Sequence, residues 1–435
     1  MTPKKAQISL LLRFIYTHLF FSKTVRNTYF VFLGNSIAII FAFVYSVTAW
    51  RLLSEADFGY LSALLAFLLL ISDVVDIGIG SSLSHFLPPL EGKISKLFGF
   101  LKTAFLYQFI IGLLVVFIIF NFSFLLSDVI FHKNELEILL KINSIGVLGN
   151  IIFNFFIYAL SARQKFVRVS ILTALSGFMR LFSLALLMLI SGVILINVVL
   201  IQTVSFILLA VIALCLADFK FLEASVRIVD LKKLFSFSKY IGIARGFTAI
   251  ANRLDVLMLV ALKSPEEAGI YAIASRVISV YPLFSGSVTT VIAPRITAIK
   301  NAMELKRYIN KVILLTLVLI SSIIVLIIIA FPFMTILFGQ KSIPAVVVLQ
   351  LLLVSMIFFV GSIPSVAVSI YYLKKPGILT LNSVIQLLIV IFCNLYFIPK
   401  YGRFGAAYSL IIAFGATFFL TSFLSLYYFR KTLSK

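Results

Sequence analysis

The chain has 435 residues, of which 62% are hydrophobic and only 12% charged, with a mean hydropathy of +1.17. Soluble domains carry roughly 25% charged residues, and a water-soluble fold cannot hide this much apolar surface, so a lipid bilayer is the expected main solvent. The net charge of +22 sits in short stretches between apolar runs, which assigns it to membrane orientation and leaves no reason to expect nucleic acid as a partner.

Residues 8–22, around Arg13 and His18, read as an amphipathic entry helix at the membrane surface. The first strong apolar run follows a basic N-terminus and continues for a full span, as in an uncleaved signal anchor. A helical span needs about 20 apolar residues. The chain offers twelve: 28–50, 58–80, 98–124, 136–160, 169–191, 194–217, 236–262, 268–292, 310–334, 344–371, 377–398 and 404–429, with tight turns near Gly192 and Gly402. The expected fold is all-α, a polytopic membrane protein of about 12 transmembrane helices. Its segments are a cytoplasmic or interfacial stretch 1–27, a six-helix bundle 28–217, a polar cytoplasmic linker 218–235, a second six-helix bundle 236–429 and a tail 430–435.

Charge tests this topology. With the N-terminus inside, 26 of the 37 Lys and Arg residues fall in inside segments, 7 fall in outside loops and 4 lie within spans. That split follows the excess of basic residues on the cytoplasmic side and places both termini there. Cys215 and Cys393 both fall in apolar runs and read as inert buried thiols.

Two outer loops resemble each other. Leu52 to Tyr60 leads from span 1 into span 2, and Leu262 to Tyr271 leads from span 7 into span 8, with Gly59 and Gly269 standing 210 residues apart. Six spans per half put both halves in the same orientation. Such a parallel repeat places a substrate site between the halves.

Charges within a bilayer are costly, and usually face a cavity or a partner. Seven ionisable residues fall within spans: Asp73, Asp76, Arg180, Arg245, Arg253, Asp255 and Arg276. One reading gives Arg180, Arg245 and Arg253, with Asn252, to a cationic cavity for an anionic ligand, because the planar guanidinium binds phosphate-like anions bidentately and keeps its charge when desolvated. The other reading pairs the same arginines with acids as bridges between helices. Asp73 and Asp76 share a helix face in span 2 and serve either ion coupling or capping of nearby helix ends. Asp255 serves ion coupling or partners a nearby arginine, and Arg276 snorkels or pairs with outer acids. Asn35, Asn150, Asn154, Asn382, Gln386 and Asn394 serve hydrogen bonds to a ligand or helix–helix contacts. His85 reads as interfacial, and the prolines Pro282, Pro294, Pro332, Pro344 and Pro364 as kinks in spans 8 to 10.

No Gly-x-x-x-x-Gly-Lys-Ser/Thr loop stands in the chain, which argues against a single-chain ATP-driven pump. No His/Cys spacing suits a metal and no nucleophile–His–acid set stands out, so neither metal, cofactor nor enzymatic role is expected.

Several motifs taken in order resemble one family. They are Asn35 through Arg51-Leu52-Leu53 with Phe58-Gly59, and Asp76-Ile77-Gly78 with Gly80-Ser81-Ser82. Then come Ala162 to Phe166, Asp255 before Gly269-Ile270-Tyr271, Pro294, and Asn394 with Ile398 to Gly402 and Gly405-Ala406-Ala407. In this the chain is similar to the polysaccharide-transport flippases of the multidrug/oligosaccharidyl-lipid/polysaccharide (MOP) exporter superfamily, which flip lipid-linked O-antigen or capsule repeat units. The resemblance implies two pseudo-symmetric bundles around a central cavity and alternating access in the cell inner membrane. It implies an undecaprenyl- or similar isoprenoid-diphosphate-linked glycan as substrate, moved to the outer leaflet and driven by an ion gradient. Membrane lipids and the polymerase and chain-length proteins of polysaccharide assembly are the implied partners. A drug or metabolite exporter of the same superfamily and a membrane glycan polymerase or ligase are the alternatives. An exporter of cationic drugs wants acids in its cavity, and the in-span balance of four Arg to three Asp leans the other way.

Overall fold

The computed structural model describes residues 23–76, 78–131, 136–190, 192–299, 302–375 and 377–433, and among them all regular structure is helical. The expected entry helix at 8–22 lies outside these residues. The first half comprises α1 (Lys23–Leu52), α2 (Glu55–Asp76), α3 (Ile79–Phe86), α4 (Ile94–Asn121), α5 (Ser123–Leu126), α6 (Glu137–Ala162), α7 (Phe166–Ile190) and α8 (Leu195–Leu216). The second comprises α9 (Ile228–Ala251), α10 (Leu254–Leu262), α11 (Pro265–Ile278), α12 (Val280–Ala298), α13 (Ala302–Ile328), α14 (Ala330–Phe338), α15 (Val346–Gly361), α16 (Ile363–Ala367), α17 (Gly377–Tyr401) and α18 (Arg403–Leu433). Helix is the expected solution, since in lipid each backbone polar group must be satisfied within its own segment.

Among the described residues eleven helices are long and apolar enough to cross a membrane. The seventh expected span, 236–262, is the one that does not appear among them, because it is broken. It divides into α9 and α10 at Asn252 and Arg253, whose amides fold back to Thr248 O and Ile250 O, both at 3.1 Å. Arg245 and Arg253 therefore do not share one continuous helix. Span 2 is shorter than expected, because Gly78 takes a left-handed conformation (φ 75°) and turns the chain from α2 into α3. The eighth expected span breaks at Ser279, three residues before Pro282, whose ring removes a backbone donor. Gly192 (φ 72°) and Gly402 (φ 56°) make the tight turns read from sequence.

Within the first lobe α1 lies along α7. A Cβ at Gly34 would come within 2.7 Å of the Ser170 backbone, and one at Gly177 within 2.6 Å of the Ala38 carbonyl oxygen. Lipid gives apolar helices no hydrophobic reason to associate, so small residues that let backbones approach carry the packing. In the second lobe the most extensive helix pair is α17 with α18.

The lobes meet chiefly through α2 and α11. Both helices open with the same device. Ser54 Oγ accepts from Asp57 N at 3.0 Å, and Ser264 Oγ accepts from Glu267 N at 3.3 Å. Each hydroxyl thus satisfies one of the orphan donors of a helix start. The end of the bundle carrying these two turns is called end I and the opposite one end II. At end I, Arg51 donates to Ile336 O at 2.9 Å from the first lobe to the second. Lys341 donates in the reverse direction to Trp50 O, at 3.1 Å, and to Leu53 O. At end II, Ser82 Oγ reaches Leu234 O at 3.5 Å, and Thr103 Oγ1 accepts from Arg227 N at 3.0 Å. One apolar cluster runs from Trp50 and Leu68 in the first lobe to Tyr271 and Leu349 in the second.

Candidate functional site: a cationic cavity between the lobes

A cavity of about 920 Å³ lies between the lobes. Helix α1 contributes Ile39 to Ser46, α7 contributes Arg180, the α11–α12 junction contributes Arg276 to Phe284, and α13 and α14 close it with Leu319, Ser322 and Phe333. The walls are mostly apolar. Into them project two guanidiniums, one from each lobe. Arg180 and Arg276 act on each other electrostatically, and both act on Tyr45. The Tyr45 hydroxyl donates to Gln202 Oε1 at 3.2 Å, which fixes the ring. Arg180 lies over the Phe206 ring at 4.9 Å, a contact that holds a cation without neutralising it.

No carboxylate forms an ion pair with Arg180 or Arg276 among the described residues. The Nε of each is buried and has no hydrogen-bond partner. Two guanidinium forks without a carboxylate partner in one cavity have the chemistry to hold a polyanion. The geometry raises Arg276 from an outer-edge residue to a cavity wall.

Arg245 and Arg253 each lie beside an acid. Arg253 Nη2 pairs with Asp73 Oδ2 at 2.8 Å, and Arg245 Nη1 lies 3.7 Å from Asp76 Oδ2. Both pairs cross from α2 of the first lobe to the span-7 segment of the second. The break at Asn252 turns Arg253 off the helical path that Arg245 follows, and each arginine meets its own acid. Arg253 also acts electrostatically on Arg276, so the latch borders the cationic site. Asp76 is a cap as well, since its Oδ1 accepts from Gly80 N at 3.3 Å at the start of α3.

Among the described residues Asp255 pairs with no arginine. It is buried and accepts from the Tyr271 hydroxyl and from Asn394 Nδ2, both at 2.8 Å, joining α10, α11 and α17 within one lobe. Asn394 Oδ1 beside it is buried without a partner. Asn382 donates to Thr421 Oγ1 between α17 and α18. Asn35 and Asn252 are exposed, Asn154 and Gln386 are half-buried, and none of the four lines the cavity. Asn150 is buried on α6 with its amide nitrogen unpartnered. His85 stacks on Phe237 at 4.5 Å across the lobe boundary. No three His, Cys, Asp or Glu side chains cluster as metal ligands among the described residues. Tyr45 and Gln202 carry no charge, so the ionisable pattern of the spans does not single them out. A tyrosine in the middle of an apolar span is the signal that was there.

The family model described as "Polysaccharide biosynthesis protein" matches residues 24–300, more than half of the chain. The chain belongs to the polysaccharide biosynthesis protein family. No curated protein sequence matches it. Among solved structures, this family member is similar to the lipid II flippase MurJ in an inward closed conformation, with a TM-score of 0.74, 17% identity, and 92% and 87% of the two chains covered. It is similar to a multidrug resistance MATE transporter in an inward-facing conformation, with a TM-score of 0.72, 11% identity and coverage of 93% and 99%. The outward-facing form of a MATE transporter gives a TM-score of 0.56 at 11% identity, covering 94% and 96%. The family member has the two-lobed fold of the MOP superfamily and is a multi-pass membrane protein.

Proposed function

We propose that the protein is a flippase for an isoprenoid-diphosphate-linked oligosaccharide, an O-antigen, capsule or exopolysaccharide repeat unit, carried from the cytoplasmic to the outer leaflet of the inner membrane. The observation that carries this reading is the pair Arg180 and Arg276. They come from opposite lobes, share one cavity and, among the described residues, have no acid to neutralise them. A diphosphate supplies the missing charge and oxygen acceptors, and by bridging the lobes it draws them together around the head group. The isoprenoid chain stays in the bilayer while the head group occupies the cavity. Family membership and the fold shared with a lipid II flippase support the substrate class.

End II is the cytoplasmic end in this reading, because the basic stretches 93–102, 163–168 and 220–239 gather there, and both termini are cytoplasmic. The segments 28–217 and 236–429 move as the two bodies of alternating access, with 218–235 as their connection. Transport is coupled to an ion gradient, with Asp255 and the Asp73 and Asp76 pairs as the acidic candidates. A glycan polymerase and chain-length proteins act on the product at the outer leaflet.

Mass spectrometry of diphosphate-linked glycans in cells depleted of the protein tests the reading. Complete repeat units should accumulate on the cytoplasmic leaflet. Wild-type protein should clear them, while Arg180→Ala and Arg276→Ala should not, with the Lys variants intermediate because an ammonium lacks the planar fork. Accumulation on the outer leaflet overturns the reading in favour of a polymerase or ligase. No accumulation, with altered sensitivity to cationic drugs, overturns it in favour of an exporter.

A further inference from the structure

Away from the inter-lobe cavity, the second lobe holds an opening of about 290 Å³ between α13, α16 and α18. It lies at end II, within the first two turns of α13 and the last three of α18. One face of α13 presents Leu305, Lys306, Ile309 and Asn310, and one face of α18 presents Ser422, Leu426 and Phe429. Pro364 and Ser365 of α16 form the floor. The walls are thus mostly apolar, with the Lys306 cation near the start of α13 and a Ser422–Ser365 hydroxyl pair at 3.4 Å farther in.

The first lobe shows what this place looks like when it is filled. Its counterpart is lined by Leu101 of α4, Phe155, Phe156 and Ala159 of α6, and Phe221 just past α8, the same three spans of that lobe. There the rings close the space to about 10 Å³. Phe155 contacts Phe105 and Phe156, and Phe156 contacts Phe221, in one aromatic cluster. Phe155 and Ser365 stand 210 residues apart, the same offset as Gly59 and Gly269. The second lobe therefore has a serine where the first has a plugging ring, and it leaves the space open.

We infer that this opening binds an anionic glycerophospholipid of the surrounding leaflet. Its phosphate sits at Lys306, and the first stretch of one acyl chain lies between Ile309, Leu426 and Phe429. Lys306 has no carboxylate partner among the described residues. Leu426 also borders a neighbouring hollow of about 500 Å³ that carries a further cation, Arg430. Basic pockets between transmembrane helices on the basic side of a membrane select anionic head groups in this way. The flanking surface is lipid-facing, with Leu314 and Leu317 of α13 and Phe423 of α18 all more than half exposed. The opening stands at the lower limit of small-molecule sites, roughly 300 Å³. That is room for a phosphate and part of a chain, and too little for an oligosaccharide head group. The inference needs only a membrane-embedded fold and stands apart from the flippase reading.

The full-length protein is reconstituted in nanodiscs of equal phosphatidylglycerol and phosphatidylcholine, extracted into detergent, and its retained lipid counted by native mass spectrometry. Phosphatidylglycerol should exceed phosphatidylcholine at least fivefold. The excess should fall at least threefold in Lys306→Gln and in Ser365→Phe, which restores the first-lobe plug, and should survive in Lys306→Arg. Melting temperatures measured without added lipid identify variants that fold, and Lys306→Gln decides alone if the bulkier change does not. Equal retention of the two lipids by the wild type overturns the inference. So does an unchanged excess in folded Lys306→Gln, or displacement of the retained lipid by stoichiometric isoprenyl phosphate, which assigns the opening to the transport substrate.

Discussion

Gly59 of α2 and Gly269 of α11 face each other across the lobe boundary, and a Cβ on either would strike a backbone carbonyl oxygen of the opposite helix. The oxygens are those of Pro265 and Glu55, which stand in the same 210-residue relation as the two glycines. When one residue meets a second and their repeat equivalents meet reciprocally, a two-fold axis runs between them. The repeat read from two short loops is thus the contact at which the lobes cross. Alanine at either glycine should lower stability by about 1–3 kcal/mol, the usual cost of overpacking, seen as a reduced melting temperature. Both changes together should cost less than their sum, because each forces apart the same crossing. Gly246→Ala and Gly415→Ala are the controls. Nothing lies within 4 Å of a Cβ at either site, so helix propensity should leave stability unchanged or raise it by up to about 1 kcal/mol.

The Asp73–Arg253 pair joins the lobes within the span region at 2.8 Å. Removing one partner leaves the other without its counter-ion in the membrane. Asp73→Asn and Arg253→Gln should each reduce transport and melting temperature, and the exchange Asp73→Arg with Arg253→Asp should recover part of both. A double variant as impaired as the two singles combined would show that the pair does not act as a unit.

The clasp at end I predicts a conformational effect. Lys341 caps the last carbonyls of α1 and lies 4.5 Å from the Trp50 ring. Lys341→Met removes both contacts and should favour opening at end I. A cysteine placed at Ser279 in the cavity wall should then react several-fold faster with a membrane-impermeant thiol reagent added from that side, in a background without Cys215 and Cys393.

Asp255 can be structural, coupling or both, and the variants separate these. Tyr271→Phe deletes one of two hydrogen bonds to a buried carboxylate and should cost about 1–3 kcal/mol of stability. If Asp255 only ties α10 to α11 and α17, transport should follow the amount of folded protein in Tyr271→Phe and Asn394→Ala alike. Asp255→Asn keeps the size of the side chain and an acceptor oxygen. Loss of gradient-driven transport at an unchanged melting temperature in that variant assigns the charge to coupling.

Where the sequence was legible, the reason was solvent. Long apolar runs force helices, and charge between them orients those helices, so α1, α6, α8, α17 and α18 follow the expected spans within a few residues. The breaks were less legible. Gly78 and Pro282 signal theirs, but the interruption at Asn252 and Arg253 carries no proline or glycine and coincides with the contact of Arg253 to Asp73 on another helix.

The sequence by itself determined that the chain is an all-helical membrane protein built as a parallel repeat, because these properties depend on residue type and spacing along the chain. It narrowed the functional charges to seven positions without dividing them. Only the tertiary structure decided that Arg245 and Arg253 are matched by Asp76 and Asp73 while Arg180 and Arg276 are not. A guanidinium is a latch or a binding group according to whether a carboxylate lies within reach, and that distance is set by which helices the two lobes bring together.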